Sequence, residues 1–297
     1  MLFSSMEYSL QSASHKIKVT SIGIELCSIT SLQTGQEYMW QADPAIWGSH
    51  APVLFPIIGL LKDNYTEIEG KKYFIPKHGL VRNSDKIKLI QSTENSLHFR
   101  FSYDPETLEK YPYLFQFDVI YRLEGNKITV EHITSNLGKE PMYYSLGGHP
   151  AFRCPLNPDE KYEDYYLSFP EEETDGTWLL DENGLVSNQQ KSILANSNKL
   201  PLNKHLFDQD ALIFKHLKSR TVSLNHQENG PVLSLDFQDF DYLGIWAKPG
   251  APFVCLEPWL GIADSSDSQH DFKSKEGIRV LQANQTEKKS YSILIHD

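Results

Sequence analysis

Alternation of apolar and polar residues at every second position recurs along this chain, and it limits the possible folds more than any other feature. Lys16-Ile17-Lys18-Val19-Thr20 sets the pattern. A period of two places successive side chains on opposite faces of a strand, so one face can be buried while the other meets water. The same reading predicts strands over 22–29, 86–90, 97–103, 113–123, 127–133 and 290–296, with a short apolar run over 53–58. Glu69-Gly70-Lys71, Glu124-Gly125-Asn126 and Glu228-Asn229-Gly230 sit between such runs and read as hairpin turns. Segment 104–110 allows one short helical turn, 206–214 fits helix or loop, and 171–199 is polar enough to read mostly as loop, interrupted by Trp178-Leu179-Leu180. No long amphipathic helix, internal repeat or low-complexity linker interrupts the series. The pattern predicts an all-β fold, a large antiparallel sandwich occupying 1–297 as a single domain.

Charge narrows the partners. The chain carries 28 basic and 39 acidic residues, a net charge of −11. Nucleic-acid backbones and anionic membrane surfaces attract positive fields, so neither is an expected partner. Cys27, Cys154 and Cys255 are scattered and odd in number, which suits a reducing compartment better than a disulfide framework. The first residues lack the basic and apolar parts of a secretion signal, and no apolar run approaches a membrane span. The expectation is a cytoplasmic protein; a domain of this size can stand alone.

Chemistry-bearing residues gather where predicted strands end. Strand 142–146 runs into Gly147-Gly148-His149-Pro150. Proline biases His149 toward an extended backbone, and imidazole is the side chain best matched to proton transfer near neutrality. His78 precedes Gly79 in the same manner, and Glu257 follows the apolar run Phe253-Val254-Cys255-Leu256. A carboxyl beside a buried strand feels desolvation, which raises its pKa toward the range of a useful base. Each has a plainer alternative: a histidine bonded to its own loop, a glutamate anchored by backbone amides. Trp246 and Trp259 flank the Glu257 region and offer faces to a sugar ring; Trp40 and Trp47 read as packing residues. Glu171-Glu172-Glu173 reads as a solvated face, and Asp264, Asp267 and Asp271, interleaved with serines, as a solvent loop. No nucleotide-binding glycine motif, GxSxG elbow or HExxH is present. A metal on His78, His149 and Glu257 is chemically feasible, yet no spacing selects one.

The set of motifs resembles aldose 1-epimerases (galactose mutarotases), in the branch of LacX-like proteins. The matching stretches are Ala51-Pro52-Val53-Leu54-Phe55-Pro56-Ile57-Ile58-Gly59, Pro76-Lys77-His78-Gly79-Leu80-Val81-Arg82, Gly147-Gly148-His149-Pro150-Ala151-Phe152, and Gly244-Ile245-Trp246 followed by Cys255-Leu256-Glu257-Pro258-Trp259-Leu260-Gly261-Ile262-Ala263-Asp264. The resemblance implies a galactose-mutarotase-like antiparallel β-supersandwich that interconverts α and β anomers of a small-molecule sugar, with no cofactor and no metal. It implies His149 as general acid, Glu257 as general base and His78 as a sugar-binding group. Arg82, Trp246 and Trp259 are expected around the substrate. Members usually carry arginine after Phe-Pro-x-x-Gly, where this chain has Leu60; Lys62 is the expected partial substitute. Asp239 and Asp241 are candidates for the aspartate that binds sugar hydroxyls. A second reading keeps the cleft without turnover, as a carbohydrate-binding or sensory protein. A glycosidase ranks last, because hydrolysis usually needs paired carboxylates and Glu257 has no evident second.

Overall fold

The computed structural model describes residues 6–296. Among them, the alternating segments pair into two large antiparallel sheets. The larger runs Ser197–Pro201, Tyr165–Glu173, Thr221–His226, Gly230–Asp236, Thr286–Ile295, Lys127–Asn136, Phe115–Glu124, Ser96–Ser102, Lys88–Ser92. The smaller runs Val186–Ser192, Gly176–Leu180, Leu212–Phe214, Tyr242–Trp246, Phe253–Leu260, Leu146–Gly148, Val53–Leu54. Glu7–Gln11, His15–Thr20 and Leu26–Ser31 form a separate antiparallel sheet. No helix among the described residues is long and apolar enough to cross a membrane.

Period two explains the core. In Phe115–Glu124, Phe115, Phe117, Val119, Tyr121 and Leu123 are all buried. Phe55, just after Val53–Leu54 of the smaller sheet, stacks on Phe117 of the larger with ring centroids 4.4 Å apart. Full burial of such a side chain is worth about 1.5–3 kcal/mol, so the inward rows of the two sheets supply the main favourable term. The helix Pro105–Lys110 is short and starts from a capping box, in which Asp104 Oδ1 accepts the Thr107 N–H at 2.8 Å.

Several boundaries differ from expectation. The strand expected over 22–29 begins at Leu26, because Gly23 and Ile24 take left-handed backbone angles. The apolar run 53–58 contains only the two-residue strand Val53–Leu54. The polar stretch 171–199 is mostly strand: it completes Tyr165–Glu173 and adds Gly176–Leu180, Val186–Ser192 and most of Ser197–Pro201. Val186–Ser192 and Ser197–Pro201 are edge strands of the two sheets, where side chains on both faces can stay wet. Glu173 is no solvated charge: it is buried and accepts the N–H groups of Lys218 and Ser219 at 3.0 and 2.7 Å. Phe253–Leu260 continues through Glu257 and Pro258 instead of ending before them, because every residue in it is buried.

Candidate active site

A cavity of about 790 Å³ opens on the smaller sheet, within the range of small-molecule sites. Glu257 reaches it from the middle of Phe253–Leu260, opposite Gly244 of Tyr242–Trp246. Trp259, two residues on, shares its face. The indole has room only because two neighbours lack side chains. A Cβ at Gly244 would lie 2.4 Å from Trp259 Cη2, and one at Gly147 would lie 2.8 Å from Trp259 Cδ1. Gly147 and Gly148 are therefore strand residues selected for space, not the turn expected from sequence. Gly148 faces the other way, where a Cβ would meet the Tyr291 ring at 2.8 Å.

His149 follows directly. Its N–H donates to the Pro52 carbonyl at 3.0 Å and that of Ala151 to His50 at 2.9 Å, so the segment is zipped to the chain around Pro52. The imidazole stacks on Trp47, with centroids 5.1 Å apart, and meets Trp246 edge-on at 5.9 Å. Its Nε2 lies 3.2 Å from Glu257 Oε2, and both side chains are buried. Glu257 Oε2, His149 Nδ1 and Trp259 Nε1 make no aligned hydrogen bond with any described residue. Burial pushes the Glu257 carboxyl well above the ordinary range; Lys77, the Trp259 indole and Arg82 pull it back and Asp210 adds to the rise. Burial pushes His149 down to about 3, helped by Arg82 and Lys77. The protein thus holds an acid–base pair with unspent hydrogen-bonding capacity at the cavity wall.

His78 completes the wall. Its backbone is left-handed, φ 66°, and its N–H donates to the Gly59 carbonyl at 2.9 Å. Gly59 N–H donates back to His78 Nδ1 at 3.2 Å. That bond leaves the proton of the neutral ring on Nε2, available as a donor. Burial, with the His149 ring next in effect, holds His78 well below the ordinary imidazole pKa. Arg82 and Lys77 line the same side; Arg82 donates to Ser49 Oγ at 3.3 Å.

With that geometry in place, known proteins supply the frame. The aldose 1-epimerase family model matches residues 6–270. The chain belongs to the aldose 1-epimerase family. It is 38% identical over 288 residues to the chromosomal LacX protein of Lactococcus lactis subsp. lactis, covering 94% of this chain and 96% of that one. A galactose mutarotase related enzyme from Lactobacillus acidophilus superposes with a TM-score of 0.93 at 33% identity, over 98% of each chain. A galactose mutarotase-like protein from Lactobacillus casei gives 0.92 at 27%, over 98% of this chain and all of that one. The fold is the galactose-mutarotase-like β-supersandwich.

In this family member, His149, Glu257, His78, Arg82, Trp246 and Trp259 all line the one cavity. Lys62 does not. Its Nζ donates to the Ser268 carbonyl at 3.0 Å, and Leu60 instead lines the cavity. Asp239 and Asp241 are also elsewhere; Asp239 Oδ2 accepts the Ser290 N–H at 2.8 Å. Asp208 and Asp210 line the cavity from the 206–214 segment, which the sequence left ambiguous. A hydrophobic run reached through Asp208-Gln209-Asp210 was the available signal. Trp47 also lines the cavity rather than serving as packing alone, whereas Trp40 is buried and donates from Nε1 to the Trp47 carbonyl at 2.8 Å. Asp264 is buried against Lys275, not a solvent-loop residue. Donor atoms of His149, Cys255 and Glu257 lie within 4.8 Å of one another and could approach a metal ion, but burial holds Cys255 as a protonated thiol, a weak ligand.

Proposed function

We propose that this protein is an aldose 1-epimerase, an isomerase that interconverts the α and β anomers of a free sugar. The observation that carries the reading is the buried His149–Glu257 pair, 3.2 Å apart and short of partners. Anomer exchange needs one proton removed from the anomeric hydroxyl and one given to the ring oxygen. Glu257 takes the first as general base. His149 gives the second as general acid, and the C1–O5 bond opens. The free aldehyde turns about C1–C2, and as the ring oxygen closes on either face His149 takes its proton back from O5 while Glu257 returns its proton to the C1 oxygen. The pair shares one proton; burial rests it on Glu257 in the sugar-free site, and the reaction starts from the form in which it has moved to His149. Lys77, Arg82 and the Trp259 indole favour the carboxylate form that the base requires. His78 donates from Nε2 to a sugar oxygen, and Asp210, which lines the same cavity, accepts a hydroxyl. Trp246 and Trp259 offer ring faces to the sugar. Nothing in this sequence of steps calls for a cofactor.

The test is anomer exchange by NMR saturation transfer on glucose and galactose, with the natural protein beside His149→Ala. Exchange above the spontaneous rate that disappears in the variant upholds the reading. Binding without acceleration by the natural protein overturns it in favour of a carbohydrate-binding protein with the same cleft.

A further inference from the structure

Trp47 belongs to no strand, yet three rings meet its indole. His149 and Phe253 stack on it with centroids 5.1 and 5.4 Å away, both at 26°, and Trp246 meets it edge-on at 5.6 Å. Separations of this kind are favourable for aromatic pairs. The backbone beneath the ring is anchored. The Trp47 N–H donates to the Asp43 carbonyl at 2.8 Å, the Trp47 carbonyl accepts from Trp40 Nε1 at 2.8 Å, and Lys248 Nζ donates to the Ile46 carbonyl at 3.0 Å. The indole is half-buried and lines the cavity, while the imidazole behind it is buried. Trp47 thus separates one face of His149 from water.

Dryness has a definite effect on the His149–Glu257 pair. With one proton the pair is neutral overall, whichever group holds it. A second proton leaves a buried imidazolium opposite a neutral carboxyl, and loss of the only proton leaves a buried carboxylate opposite a neutral imidazole. Both are disfavoured where water is excluded, so the lower apparent pKa of the pair falls and the upper one rises. Charges nearby act on the same pair. Lys77 and Arg82, from the segment that carries His78, lower both members, and Asp210 raises Glu257. Burial keeps the Cys255 thiol protonated and His78 neutral. On Trp47's own loop, Asp43 Oδ1 accepts the Ala45 N–H at 2.9 Å and His50 lies 3.9 Å from Glu25. All of these groups remain when Trp47 alone is changed. Resting on the epimerase reading, we propose that Trp47 is a positioning residue for the reaction: stacked on His149, it holds the imidazole toward Glu257 and, by keeping water out, keeps the pair at one proton across a wide pH range.

The pH profile of kcat/KM for anomer exchange reports the pair in the free enzyme and tests the proposal. It is recorded for the natural protein, Trp47→Ala, Trp47→Gln and Trp47→Phe, with the titration of the His149 ring followed by NMR in the same proteins. Opening the face with alanine or glutamine should bring the acid and alkaline limbs closer together by about one pH unit or more. It should also lower kcat by about tenfold or more, with a smaller change in KM, because the ring is then free to turn. Phenylalanine still stacks and excludes water, so it should recover most of the width and most of kcat. The glutamine variant carries the comparison if alanine does not fold. A rise in KM with the profile unmoved would make Trp47 a sugar-stacking wall and overturn the proposal, as would a phenylalanine variant no better than the open ones. No exchange in any of the proteins, with the His149 titration moved toward neutrality in the open variants, would uphold the water-excluding role and overturn the epimerase reading. No exchange and an unmoved titration would overturn both.

Discussion

Lys275 Nζ lies 2.6 Å from Asp264 Oδ1, with both side chains almost wholly removed from water. Asp264 ties Leu60 of the cavity wall to Lys62 and Val186 outside it. Its Oδ2 accepts the Lys62 N–H at 3.0 Å, its own N–H donates to the Leu60 carbonyl at 2.9 Å, and its carbonyl accepts the Val186 N–H at 2.9 Å. Burial lowers the Lys275 pKa, and Asp264 opposes that shift. Removing one partner strands the other as an unpaired buried group. Asp264→Ala or Lys275→Met should each cost about 3–5 kcal/mol in urea unfolding. Asp264→Leu combined with Lys275→Met should recover part of the loss, though the Lys62 N–H stays unpaired. Single variants within about 1 kcal/mol of the natural protein would contradict this account.

Glu257→Gln separates function from scaffolding. The carboxyl is buried, pays for desolvation, and has an oxygen with no aligned donor. Its neutral isostere should leave unfolding free energy unchanged or slightly higher. Anomer exchange should fall by about 10²- to 10⁴-fold, the usual contribution of a positioned general base. A variant that loses stability and activity together would instead mark Glu257 as a structural anchor.

Gly244→Ala tests whether the indole beside Glu257 is positioned by missing side chains. The added Cβ would sit 2.4 Å from Trp259 Cη2, and Trp259 is itself hemmed in by Gly147. The ring must shift away from its place beside the carboxylate. Overpacking of this kind costs about 1–3 kcal/mol, and KM for the sugar should rise more than kcat falls. An alanine variant with natural stability and KM would show that the indole moves freely.

The fold was legible because alternation survives wherever one strand face is buried: 97–103 and 127–133 needed only end corrections, to Ser96–Ser102 and Lys127–Asn136. It faded where both faces are wet, as in Val186–Ser192, or both are buried, as in Phe253–Leu260. His78 and His149, which line the cavity, stood out in the sequence because glycine, proline and histidine in short order bear on backbone shape. Their neighbours were not. Trp47 reaches His149 from a distant loop, and Lys62 turns to the Ser268 carbonyl for reasons of tertiary contact alone. Asp208 and Asp210 lie in turns with no periodicity to read.

His132 makes stability sensitive to acid. It is buried beside Phe117, Phe240 and Tyr291, and neither ring nitrogen makes an aligned hydrogen bond to a described residue, the Lys289 backbone only partly opposing the effect of burial. Burial holds its pKa down to about 4, against an ordinary value near 6.5. The unfolded chain therefore takes up this proton as pH falls through about 6.5, while the folded protein resists until about 4. The unfolded state binds more protons across that window, so falling pH favours it, and the loss is complete below about 4. The shift corresponds to on the order of 3 kcal/mol. His149 and His78 are depressed in the same direction, so the natural protein should lose stability steadily below neutrality. His132→Leu removes one of these groups. Urea unfolding at pH 7 and pH 4.5 should show a smaller acid penalty in the variant, by on the order of 2–3 kcal/mol. An unchanged penalty would mean that the folded protein already accommodates a proton on His132.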